Sequence, residues 1–314
     1  PDPALPGGAE GRGVTMAGTK EIKGRIQSVR ETGKITNAMY LIASTKMRKA
    51  REELTNTRPY FEALRGEIKR VFRTANGVES RYFYPTDVTT PREGTYGCLV
   101  VTADKGLAGA YNQNVVKETQ KLLSEHPDTK LFVVGEYGRH IFAQRGIPVE
   151  QSFLYTAQNP TLERAREICD VLLDGYESGE LTEIFVIYTD LENRLTAQAR
   201  STRLLPFHRT SFAAPAKERA VKSAFEFQPS VEAVLDALMP SYIAGFIYSA
   251  LVDSFCAEQN ARMTAMDAAN RNAEELLSQL SLEYNRVRQS AITQEITEIS
   301  AGAKAQRRGR KEGL

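Results

Sequence analysis

The sequence predicts an α/β protein: a long antiparallel coiled coil of N- and C-terminal helices, with an α/β domain inserted between them. Three observations predict it. After Pro240, residues 241–305 contain no proline, and Gly245 is the one glycine before Gly302. Ala, Leu, Glu, Gln and Arg dominate that stretch, and all are strong helix formers. Within it, Leu277, Leu280, Tyr284, Val287 and Ala291 step by 3, 4, 3 and 4, the period of a coiled-coil seam and not of a broad globular face. Between the two ends of the chain, short apolar runs alternate with helical patterns, the signature of βαβ units around a parallel sheet.

Residues 1–15, PDPALPGGAEGRGVT, are rich in Gly and Pro, carry Asp2 and Glu10, and match neither a signal nor a transit peptide. They are expected to be a disordered extension ahead of Met16. An N-terminal coiled-coil helix is expected over 16–75, with Thr19 as its cap and Ile22, Ile26, Val29, Ile35, Met39 and Ile42 on its apolar face. Gly24 and Gly33 each weaken that helix by about 1 kcal/mol. Pro59 should kink it, because proline cannot donate to the preceding turn. Asn76-Gly77 should end it, before a loop holding Pro85 and Pro91.

An α/β domain follows over 76–227. Gly97–Thr102 is a continuous apolar run, as in a strand buried on both faces. Helix 111–125, strand 131–135, helix 136–145, strand 147–154, helix 160–176 and strand 183–190 continue the alternation. Leu191–Arg194 reads as a turn into an antiparallel strand at 196–206, giving a Rossmann-like, doubly wound domain. After Pro206, Pro215 and a short segment at 230–238, the long helix is expected to begin at Pro240, a favourable first helical position. The C-terminal coiled-coil segment as a whole is assigned to 228–305 and a basic tail to 306–314. At 1.5 Å per residue the helix from Pro240 would run about 95 Å, too long for a compact domain.

The two arms carry opposite charge. Residues 16–75 hold 14 Lys/Arg against 6 Asp/Glu, and residues 228–305 hold 5 against 10. Pairing of the arms as an antiparallel hairpin follows from that complementarity. The stripe Ala257, Ala261, Ala265, Ala268/Ala269, Ala273 lets the helices approach closely.

Composition excludes several classes. The net charge of +2 makes no case for nucleic acid or a membrane surface as a general partner. No continuous apolar run approaches the roughly 18 residues of a membrane span. Cys98, Cys169 and Cys256 form no CxxC and are expected to be buried thiols. His126, His140 and His208 show no ligand spacing, so no metal site is expected. The strongest active-site candidate is Thr102-Ala103-Asp104-Lys105-Gly106-Leu107-Ala108-Gly109, at the carboxyl end of the first strand, where open α/β sheets bind ligands. It fits neither GxxxxGK[ST] nor GxGxxG. A tight strand-to-helix turn explains the glycines better. No catalytic, cofactor-binding or metal-binding residue is expected.

Three blocks carry a family resemblance. Lys34-Ile35-Thr36-Asn37-Ala38-Met39 with Ile42–Met47 resembles the N-terminal helix motif of the gamma subunit of F-type ATP synthases. Asp104–Gly109 followed by Asn112 resembles its central motif, and Glu258–Met266 with Tyr284–Ile299 through Gly302-Ala303 resembles its C-terminal signature. The resemblance covers about residues 16–305. It implies a non-catalytic rotor: the coil stands in a ring of alternating alpha and beta subunits, three of each, and the α/β domain rests on the epsilon subunit and the c-ring. It also implies peripheral attachment at the cytoplasmic face of a bacterial membrane, through the c-ring alone. By the same resemblance, Lys34, Met39, Lys46 and Arg262 face the beta subunit low on the shaft, and Arg288, Gln289 and Thr293 face it higher up. The competing readings are a coiled-coil scaffold or regulator with a non-catalytic α/β domain, and an enzyme binding a nucleotide at Asp104–Gly109.

Overall fold

A computed structural model describes residues 10–74, 80–84, 93–154, 156–193, 196–212 and 227–309. The expected turn at Asn76-Gly77, the loop with Pro85 and Pro91, Arg194, Pro215 and the last five residues of the tail lie outside them. The elements are α1 (Glu10–Thr74), β1 (Tyr96–Val101), α2 (Tyr111–Glu125), β2 (Thr129–Val134), α3 (Glu136–Gln144), β3 (Gln151–Phe153), α4 (Leu162–Glu177), β4 (Glu183–Asn193), β5 (Thr196–Leu205) and α5 (Val231–Gly309). The chain divides into two compact units, one of residues 1–41 with 266–314, the other of residues 42–265.

The larger unit is built on a five-stranded sheet in the order β3-β2-β1-β4-β5. β1 pairs in parallel with β2 and β4, β2 in parallel with β3, and β4 antiparallel with β5. Every residue of β1 is buried, which is why it reads as a continuous apolar run. Its side chains alternate between two cores. Cys98 and Val100 pack with Leu131, Val133 and Ile187 against Val115 and Val116 of α2 and Phe142 of α3. Leu99 and Val101 pack with Phe132, Val134 and Val186 against Ile168 and Leu172 of α4 and Ile243 and Ile247 of α5. Each such side chain contributes roughly 1.5–3 kcal/mol through removal from water.

The α5 helix begins earlier than expected. Ser230 Oγ accepts from Ala233 N at 3.2 Å and starts it, so Pro240 lies inside the helix and not at its first position. Leu235, Met239, Ile243, Ile247 and Leu251 recur every fourth residue and are at most 2% exposed. Their burial outweighs the one hydrogen bond that proline removes. A window of α5 has mean hydropathy 1.4 and is half buried within the chain. Averaged hydropathy thus marks a helix apolar enough to cross a membrane, which counting uninterrupted apolar residues did not; Leu235, Met239, Ile243, Ile247 and Leu251 of that helix belong to the core described above.

The smaller unit pairs the N-terminal part of α1 with the C-terminal part of α5. The seam on α5 is as expected: Leu280 is 3% exposed, and Leu277, Tyr284, Val287 and Ala291 are half-buried between exposed neighbours. On α1, Ile22, Ile26 and Val29 are buried or half-buried, but Ile35 is 61% exposed. The buried row continues instead through Gly33 and Thr36. A Cβ on Gly33 would sit 3.9 Å from that of Ala273, and Thr36 Oγ1 donates to Asn270 Oδ1. Small side chains hold the heptad positions there, and the bulkier isoleucine falls outside them. Further along α1, in the larger unit, Ile42 is likewise 56% exposed beside Ala43, which is 1% exposed.

Other boundaries shifted. α1 begins at Glu10, within the segment expected to be disordered; adding residues to an existing helix needs no new nucleus. The same argument covers α5 continuing to Gly309, past the expected end at 305. The third strand, expected over 147–154, is only Gln151–Phe153. Ile147 and Val149 are apolar because they pack into the core on the α2 and α3 side, without pairing as strand.

Candidate functional site

The loop after β1 is held at its root by its own side chains and by side chains from α2 and α5. Thr102 Oγ1 donates to Val134 O at 2.8 Å and accepts from Gly138 N at 3.0 Å. Asp104 Oδ1 accepts from Glu136 N at 3.0 Å, satisfying a free amide in the first turn of α3. Asn112 Oδ1 accepts from Ala103 N at 2.9 Å. From the other side, Arg262 Nη2 donates to Gly106 O at 3.2 Å while its Nη1 pairs with Glu258 Oε1 at 2.6 Å. The tip is different: Leu107 is 64% exposed with φ 63, and Gly109 has φ 53. A left-handed leucine costs about 1–2 kcal/mol. A hydrogen bond from a charged donor contributes about 1.5–3 kcal/mol, enough to offset it.

The carboxyl end of β1 is where an open α/β sheet would take a ligand. In this chain α5 covers it. Ala257 is fully buried against Ala103, Ala108 and Tyr111, with Ala261 packed beside them. Glu258 is 6% exposed; its carboxyl is pushed above the usual range by burial, opposed first by Arg262, raised further by Asp104 and opposed again by Lys46. The alanines read from sequence as a close-packing stripe therefore also make room for this loop.

The seven residues proposed as partner contacts fall in both units. Lys34 is exposed and Met39 half-buried in the smaller unit, where Arg288, Gln289 and Thr293 are exposed on α5. Gln289 and Thr293, one helical turn apart, line one shallow groove with Ser290 and Gln294; Arg288 is outside that lining. In the larger unit Lys46 is exposed, but the Arg262 side chain is 12% exposed and committed to Glu258 and Gly106.

Sequence reasoning missed three features. Gly245 was noted only as the one glycine before Gly302, yet a Cβ there would lie 2.1 Å from Phe61 Cδ1. A glycine in a helix flanked by Ile243, Phe246 and Ile247 was the available signal. Gly135, with φ 97, would place a Cβ 2.3 Å from Thr102 O. The third is a polar cluster at the start of β4. Tyr84 donates to the fully buried Glu183, Arg203 Nη1 donates to Tyr84 Oη at 3.1 Å, and His208 stacks on Tyr84. Nothing in the local sequence joins those four positions. Among the described residues no group of three His, Cys, Asp or Glu side chains is placed to hold a metal.

The fold and the covered carboxyl end of β1 define a class: an α/β domain together with two long helices. Residues 18–306 match the family model described as ATP synthase. The chain is 40% identical over 295 residues to the ATP synthase gamma chain of Acetivibrio thermocellus, covering 92% of this chain and 99% of the relative. It is 42% identical over 294 residues to that of Caldanaerobacter subterraneus, covering 91% and 99%. A relative from Acetobacterium woodii, 34% identical and covering 91% and 98%, is named as sodium ion specific. The fold is shared with a chain of the Euglena gracilis mitochondrial ATP synthase at TM-score 0.66 and 15% identity, covering 95% and 97%, in a structure of OSCP, F1 and c-ring. This chain belongs to the ATP synthase gamma family.

Proposed function

We propose that the chain is the central rotor of an F-type ATP synthase and has no active site of its own. The observation that carries this reading is the likeness to gamma chains along 99% of their length, joined to a carboxyl end of β1 that α5 covers. Its partners are then the alpha and beta subunits, the epsilon subunit and the c-ring, with the membrane met only through the c-ring at the cytoplasmic face of a bacterial cell. The transported ion is a proton or sodium; one relative is named for sodium. No cofactor is required, because the catalytic nucleotides belong to neighbouring subunits. The exposure of Lys34, Lys46, Arg288, Gln289 and Thr293 supports their role as contacts to the beta subunit. Met39 joins them as a half-buried contact. Arg262 belongs with them through its charge, although its guanidinium already has two partners inside the chain.

Replacing Gln289 or Arg288 with alanine in a reconstituted complex should slow ATP hydrolysis by several-fold while nucleotide affinity at the head stays unchanged, an effect of about 1 kcal/mol on the barrier. Unchanged hydrolysis in both variants would remove those contacts from the reading.

A further inference from the structure

The loop between β1 and α2 is exposed at its tip and fastened at its root. Leu107 is 64% exposed with φ 63, while Ala103 and Ala108 on either side are 0% and 2% exposed. An apolar side chain facing solvent in a left-handed conformation is stabilised neither by burial nor by backbone preference. The fastening comes from α5. Arg262 reaches Gly106 O, the carbonyl just before Leu107, and Glu258 one turn earlier orients the guanidinium. Ala257 and Ala261 lie on the same stripe, and their small side chains let the loop root approach the helix.

We propose that Arg262 is a positioning residue: it locks the Gly106–Gly109 loop to α5 so that loop and helix turn as one body, and this locking sustains coupling in the assembled enzyme. The proposal rests on the rotor reading above. A rotor has to present the same surface at each position of its turn, and a loop free to leave its left-handed conformation would not.

The test uses the full-length chain and the reconstituted complex, with R262M, which keeps the apolar stem, and R262K, which keeps the charge but offers a single point donor in place of a fork. Amide hydrogen exchange is measured on the full-length chain, and ion pumping per ATP hydrolysed on the complex. R262M should speed exchange at 105–109 by about tenfold, leaving the β1 amides protected. Pumping per ATP should fall about twofold or more, with R262K between R262M and wild type. Unchanged loop exchange overturns the lock. Faster exchange with unchanged pumping per ATP overturns its role in coupling. Should R262M fail to fold, E258Q is used instead, which leaves the arginine but weakens the group that orients it; the same two outcomes then decide. If the wild-type chain forms no complex with alpha and beta subunits, the rotor reading fails, while loop exchange still decides the lock.

Discussion

Gly245 and Asp253 lie on α5, in the larger unit, and they make opposite predictions. At Gly245 the Phe61 ring rests on the helix backbone, where an added Cβ would be 2.1 Å from Cδ1. G245A gains about 1 kcal/mol of helix propensity but overpacks by about 1–3 kcal/mol. Net destabilisation of about 1 kcal/mol is expected, read as a lower urea midpoint; a stabilised variant would mean that Phe61 moves freely. Asp253 has its carboxyl pushed up to about 6, first by burial and then by Asp190, with Ser249, Arg51 and Arg58 opposing. A carboxyl raised on folding binds its proton more tightly in the native state. Its contribution is therefore present below the unfolded value near 4 and is lost as pH rises through about 6. D253N removes that loss: it should match wild type at pH 4 and exceed it by about 2–3 kcal/mol at pH 8. Equal stabilities at both pH values would contradict the burial argument.

At the scale of elements, the seam explains both what the sequence disclosed and what it hid. L280A should cost about 2–4 kcal/mol, whereas L282A, at a side chain 70% exposed, should cost under about 0.5 kcal/mol. Denaturant unfolding of the two variants checks the difference, and equal losses would refute the seam. The α5 seam was legible because leucine and tyrosine occupy it. The α1 row was legible at Ile22, Ile26, Val29 and Met39 but not where Gly33, Thr36 and Ala43 hold it while Ile35 and Ile42 face outward; hydrophobicity marks a buried row only where large side chains fill it. The sheet was easier: helix 111–125 was read to its ends and β1 to within one residue. Buried parallel strands have to be apolar on both faces, so they announce themselves. β3 was overread because Ile147 and Val149 are half-buried against the core without pairing as strand. The Arg262–Gly106 contact spans 156 residues of sequence, and no local pattern encodes it.

For the whole molecule, the cysteines give a further check. Cys98, Cys169 and Cys256 are free and buried. Burial pushes the Cys169 thiol up to about 12 and the Cys256 thiol up to about 11, and raises that of Cys98 further. Few thiolates exist at neutral pH, so labelling of the native chain by a disulfide reagent should be slow, and dithiol reductants should leave the complex's activity unchanged. A reversible several-fold activation would contradict this. The central claim is that the chain serves as the rotor of a larger enzyme. Its most direct test is native purification through a tag on this chain, with subunit stoichiometry and ATP hydrolysis measured together. The account predicts one copy of this chain with three alpha and three beta subunits, hydrolysing ATP, while the isolated chain neither hydrolyses nor binds it. Recovery of the chain alone, or ATP hydrolysis by the isolated chain, would contradict it.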